Sequence, residues 1–266
     1  MNCVKHSFLS IDDVADIISS FVFDESGILP MSECTYNMFP ILKGNIKFGE
    51  ENLVDKIKVL IKEQYDLFVL ENKDLVGEYD LLISKYSGKY FDLLNEYFKI
   101  DKDYSVNAGV GLLPIFPRNI KEESYCITKM SDEDVVSVFM HEACHFAFFE
   151  KCRVLFENLI DEDLNNPSLL WYLSEIVIDP ILNRDEFQLC FKYNFRAYDN
   201  FYSVVINGQN LVEVIKDIFD NNSIDDSIKI TYDYLLDNEK EFRLLCGDEE
   251  SVQNKRFILN DVDKLY

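Results

Sequence analysis

Residues 131–150 read SDEDVVSVFMHEACHFAFFE, and inside them His141-Glu142-Ala143-Cys144-His145 sets two imidazoles four residues apart with a carboxylate beside the first. Ser131 suits the N-cap of a helix, and Asp132, Glu133 and Asp134 fill a first turn where the helix dipole favours negative charge. The stretch predicts a long helix running to about Asn158. The chain has three histidines, of which His6 is the only one outside this pattern. On a helix, residues i and i+4 project to one side, close enough to share a Zn2+ ion, whose imidazole ligands stand at about 2.0–2.1 Å. Glu142 lies about 100° round the helix from His141, placed to reach a metal-bound water instead of the metal. Cys144, one position before His145 and so about 100° round the helix from it, is expected to be a small packing residue, not a nucleophile.

Two histidines do not hold a catalytic zinc, which takes a third protein ligand and keeps a position open. A third histidine after a glycine turn, in the pattern H-E-x-x-H-x-x-G-x-x-H, is excluded because Phe148 and Lys151 occupy the glycine and histidine positions. A later carboxylate fits better. Residues 169–182, LLWYLSEIVIDPIL, are nearly all apolar, yet Glu175 and Asp179 stand within them four apart. Asn166 is expected to cap this helix, with Pro167 in its first position. A helix apolar on most faces is buried, and a buried carboxylate is costly unless it is paired or bound to a metal. Glu175 as ligand, with Asp179 accepting a hydrogen bond from one ligand histidine, would satisfy both acids. The bland reading puts the two acids on a narrow solvent-facing stripe, or has Asp179 merely capping a break at Pro180.

This pair of helices resembles the gluzincin group of zinc metallopeptidases, the thermolysin-like and M1-aminopeptidase-like enzymes. Their shared pattern is H-E-x-x-H on one helix and E-x-x-x-D on the next, matched by His141–His145 and Glu175–Asp179. The resemblance covers about residues 104–183, and Ser174 stands where an asparagine often precedes the ligand glutamate. It implies a peptidase acting on a peptide or protein substrate, with His141, His145 and Glu175 holding Zn2+ and Glu142 as general base. It also implies a strand at the cleft that binds extended peptide by β-addition, for which Gly109–Ile115 and Tyr125–Thr128 are the candidates. Family enzymes stabilise the oxyanion with a Tyr or His that follows the glutamate ligand. No histidine follows here; Tyr193, Tyr198, Tyr202, Tyr232 and Tyr234 are eligible by order, and Tyr198 and Arg196 are the choice as catalytic partners.

Around this core the sequence predicts an α+β, mostly helical chain: a supporting helical region over 1–102 and a zincin-like domain over 103–266. Helices are expected at Ile11–Phe23 behind a Ser10 cap, from Glu51 to about Glu71, and over Leu75–Phe98 with a break near Ser87-Gly88. Gly27–Lys47 reads mostly as loop. Tyr104–Phe116 and Ser124–Thr128 read as strands of a small antiparallel sheet, with Pro117-Arg118-Asn119 turning between them. Pro167–Tyr266 reads as largely helical.

Composition narrows the partners. Of 266 residues 48% are hydrophobic, as in a folded domain, and the formal charge of −23 repels nucleic acid and anionic membranes. The seven cysteines are scattered without a C-x-x-C pair, Asp12 and Asp13 interrupt any signal-like N-terminus, and no apolar run nears eighteen residues. A cytoplasmic setting is expected. The rival to a hydrolase is a non-catalytic zinc-binding or helical protein-interaction module, though a chain that had lost catalysis would be expected to lose Glu142 before the histidines.

Overall fold

The computed structural model describes residues 2–23, 31–248 and 251–260. They form an α+β, mostly helical structure that divides into two compact units. The first comprises Met1–Lys85 and Tyr104–Val138, the second Tyr86–Asp103 and Phe139–Tyr266. Each unit is therefore discontinuous in sequence, a course different from the single boundary after residue 102 that the sequence suggests.

The first unit opens with strand β1 (Cys3–Phe8), followed by helix α1 (Ile11–Phe21). Ser10 caps α1 in a reciprocal box: the Asp13 N–H donates to Ser10 Oγ at 3.1 Å and the Ser10 N–H to Asp13 Oδ2 at 3.0 Å. Residues 31–38, expected as loop, form helix α2 (Met31–Met38). Pro40 stands beyond its end as a boundary, and Met31 and Cys34 pack on the core, so packing outweighs weak propensity. The opening of that expected loop, residues 27–30, lies outside the described residues. Helices α3 (Leu53–Glu71) and α4 (Leu75–Ile83) follow much as expected. Val14, Ile18, Phe39, Ile57, Ile61 and Leu112 lie in the buried apolar core of this unit.

Its sheet departs from expectation. Strands β2 (Ser105–Val110), β3 (Arg118–Asn119) and β4 (Ser124–Ile127) join β1 in the order β1-β2-β4-β3. Both β1–β2 and β2–β4 are parallel, and only β3–β4 is antiparallel. Arg118-Asn119, read as a turn, is the β3 edge itself. The β1 strand was not foreseen, and it supplies the parallel partner across residues that include helices, as a parallel connection requires. The segments expected to accept an added peptide strand are interior: β2 is paired on both sides over Asn107–Val110, and β4 lies between β2 and β3. Gly109 is the residue this packing demands, since a Cβ there would stand 2.3 Å from Leu9 Cδ2 and 2.9 Å from its Cγ.

The second unit begins with helix α5 (Ser87–Phe98), so the predicted break falls just before Ser87. Helix α6 (Asp132–Leu155), which begins in the first unit and belongs to the second from Phe139, carries the histidine motif; the Asp134 N–H donates to Ser131 Oγ at 3.2 Å, the cap expected from sequence. Helices α7 (Leu169–Ile176), α8 (Ile178–Leu182) and α9 (Asp185–Gln188) come next. A hairpin of β5 (Val205–Ile206) and β6 (Gln209–Asn210) turns at Asn207-Gly208, both at positive φ, before α10 (Leu211–Asn221), α11 (Ile224–Asp237) and α12 (Glu239–Cys246). The predicted helical character of this half holds, and its residues 261–266 lie outside the described residues. Tyr90 is held edge-on to Phe139 at 5.5 Å and to Phe187 at 5.9 Å, and its hydroxyl donates to the Met140 carbonyl at 2.5 Å. The tail is strapped down: Glu239 accepts from the Gln253 and Asn254 N–H groups and from buried Arg243, while the Asn260 N–H donates to the Leu155 carbonyl at 2.9 Å. Among the described residues no helix is long and apolar enough to cross a membrane.

The third histidine has a role in the first unit. His6 is buried on β1, and Asp80 Oδ1 on α4 lies 2.8 Å from its Nδ1 and accepts its backbone N–H at 2.8 Å. Burial holds the His6 imidazole below its ordinary pKa of 6.5, outweighing the hydrogen bond and charge of Asp80. Below about pH 6.5 the unfolded chain therefore binds more protons at this site than the folded chain, and stability falls as the medium is acidified. His6→Asn, which keeps a donor for Asp80, is expected to show a shallower fall in urea midpoint than the parent between about pH 7.5 and 5. Parallel falls in the two proteins would exclude His6 as the source.

Candidate metal centre

Helix α6 is apolar on nearly every face across its middle turns: Phe139, Met140, Ala143, Cys144, Phe148 and Phe149 are all buried. Such a helix is fixed by packing on all sides, so the polar side chains it carries are held rather than solvated. His145 is fully buried and its ring stacks with Phe149 at 6.4 Å, while the His141 side chain keeps 24% exposure. Cys144 is buried as expected, and desolvation pushes its thiol pKa up, against any nucleophilic role.

The third residue comes from α7. Glu175 Oε2 lies 3.5 Å from His141 Nε2 and 3.5 Å from His145 Nε2, and the two nitrogens are 2.9 Å apart. Three donors on one tetrahedral ion, each at about 2.0–2.1 Å, stand about 3.3 Å from one another. The three observed separations bracket that value, and the carboxylate oxygen is equidistant from both imidazoles. The donor set also suits zinc chemically, two imidazoles and one carboxylate being a familiar catalytic combination.

Electrostatics points the same way. Glu175 is 1% exposed and occupies the last turn of α7, at the end of the helix where the dipole is negative. A carboxylate is disfavoured there twice, by burial and by the dipole, and a cation on the imidazole side offsets both. Glu142 is buried beside His141 on α6. The partial exposure of His141 leaves one flank open to water, as a three-ligand catalytic site requires.

The surroundings correct part of the sequence reading. The cap of α7 is Ser168, whose Oγ accepts from the Trp171 N–H at 2.9 Å, instead of Asn166. Asp179 was expected to accept from a ligand histidine; both its carboxylate oxygens are engaged elsewhere. Tyr202 Oη donates to Asp179 Oδ2 at 2.5 Å and Asn183 Nδ2 to Oδ1 at 2.9 Å. The expected catalytic partners sit in the loop that follows. The Arg196 guanidinium bonds exposed Asp199 at 3.1 Å and covers the Tyr202 ring at 4.4 Å, and Tyr198 packs at 6.0 Å on Phe201. The structure thus gathers His141, His145 and Glu175, and ties Asp179 to Tyr202, a link that no spacing in the sequence announces.

No protein-family model, curated protein or solved structure matches this chain. Metal binding by His141, His145 and Glu175 is accordingly tested directly. Metal-free protein is expected to take up zinc to one equivalent, and zinc at about a hundredfold excess over its Kd should add about 2.7 kcal/mol of stability. Glu175→Ala should weaken binding by at least about a hundredfold, measured by chelator competition. Equal zinc affinity in parent and variant would exclude Glu175 as a ligand.

Proposed function

We propose that the chain is a zinc-dependent hydrolase with a zincin-like core, a metallopeptidase of gluzincin type that cleaves peptide or amide bonds. The observation that carries this reading is the equidistance of Glu175 Oε2 from the two motif imidazoles, at 3.5 Å from each, next to a glutamate at the general-base position. When bound, zinc would act as a Lewis acid toward the substrate carbonyl and bring a water toward neutral pKa.

The protein's own residues do the rest. His141, His145 and Glu175 orient the ion from a packed interior, so their geometry costs little reorganisation when substrate arrives. Glu142, one residue from His141, takes the proton of the attacking water and returns it to the leaving amine. The flank at His141 admits water and substrate. The acidic surface favours neutral or basic peptides over polyanions, and seven free cysteines fit a reducing, cytoplasmic setting.

Glu142→Gln separates a hydrolase from a zinc-binding module. The variant is expected to hold zinc as the parent does and to lose hydrolysis of a quenched-fluorescence peptide library by about 10²–10⁴-fold. A parent that binds zinc yet matches the variant in turnover would mean that the site is not used for this chemistry.

A further inference from the structure

We infer that Tyr202 is a positioning residue for the metal ligand Glu175, acting through the carboxylate of Asp179. The inference rests on the zinc reading above and extends it to residues outside the ligand set.

The reason lies in how short and interrupted the ligand helix is. Helix α7 has eight residues and Glu175 is its next-to-last, so little helix remains to fix the ligand from its own C-terminal side. The chain continues into α8, but Pro180 has no N–H for the Ile176 carbonyl and its ring crowds that carbonyl. The helical ladder is thus broken two residues past the ligand, at Val177. Where backbone hydrogen bonds fail, side chains must hold the geometry.

Asp179 is where they converge. Its Oδ2 accepts from Tyr202 Oη at 2.5 Å and its Oδ1 from Asn183 Nδ2 at 2.9 Å, while its carbonyl accepts from Asn183 as well. Asn183 then clamps Phe195 on both sides, donating to its carbonyl at 2.7 Å and accepting its N–H at 3.0 Å. Tyr202 Oη also accepts the Ala197 N–H at 3.1 Å. Residues 195–202 are in this way stitched to α8, the segment that continues from Glu175. Burial and the Asp179 carboxylate push the Tyr202 phenol up to about 12, so it remains a donor across the working pH range. Arg196 stacks on the ring at 4.4 Å and pairs with Asp199 at 3.1 Å. A hydrogen bond between phenol and carboxylate is of the strong, charge-assisted kind.

The experiment is a zinc titration of the metal-free full chain against a chelating indicator, with thermal melts of each metal-free protein beside it. Tyr202→Phe, which removes one oxygen, is expected to weaken zinc binding about tenfold while the circular dichroism spectrum stays that of the parent. Asp179→Asn should weaken it similarly, and the double variant should cost no more than the larger single effect, since the two act as one unit. Tyr232→Phe is the control. It removes a bond from Tyr232 Oη to the Lys255 carbonyl elsewhere in the same unit, and should lower the melting temperature without moving zinc affinity. Tyr202→Phe with parental zinc affinity, additive effects in the double variant, or an equal loss in Tyr232→Phe would each overturn the inference. A parent chain that binds no zinc would instead bring down the metal reading, and the positioning role with it.

Discussion

A carboxylate buried at the negative end of a helix is an unstable thing unless positive charge is brought to it. Glu175 is in that position, 1% exposed in the final turn of α7, and the groups that meet it are two imidazoles from one face of α6. Neutral imidazoles offer lone pairs, not charge. A cation shared by the three donors would supply that charge. Everything around it serves to keep three donor atoms near one point: the all-round packing of α6, the Tyr90 hydroxyl on the Met140 carbonyl, and the Ser168 cap that starts α7.

The two helices solve the positioning problem differently. In α6 the two imidazoles lie mid-helix, where backbone hydrogen bonds run in both directions and buried aromatics fill each flank. In α7 the carboxylate sits one residue before the helix end, with Pro180 close behind, and side-chain bonds from a following loop hold the next segment. Rigidity in the first case is a property of the helix; in the second it is borrowed from residues some twenty positions away.

How much of this was legible depends on what kind of signal each feature leaves. The clustering of His141, His145 and Glu175 was readable because four-residue spacing on a helix and a carboxylate stranded in an apolar run are local patterns. Ser10 and Ser131 were readable for the same reason, as cap chemistry is local. β1 was hidden because its inward position is His6, a polar residue that satisfies its burial through Asp80 on another element. The parallel sense of β2 and β4 was hidden separately, since β3, read as a turn, intervenes between them in the chain. α2 was hidden because its helix is held by contacts with the core more than by its own residues. The partner of Asp179 was invisible for a plainer reason: fifteen tyrosines follow no pattern, and which one folds back on α8 is decided by the loop's path.

The interleaving of the two units has a consequence for the order in which the molecule can be made. A ribosome releases β1 about a hundred residues before β2, the strand it pairs with from Cys3↔Ser105 to Phe8↔Val110. Between them emerge α1 to α4, which can assemble early, and α5, which belongs to the other unit and must wait for α6. Contacts of such long sequence separation form slowly, because the loop must close before any bond rewards it. The nascent chain therefore carries an unzipped strand edge through much of its synthesis.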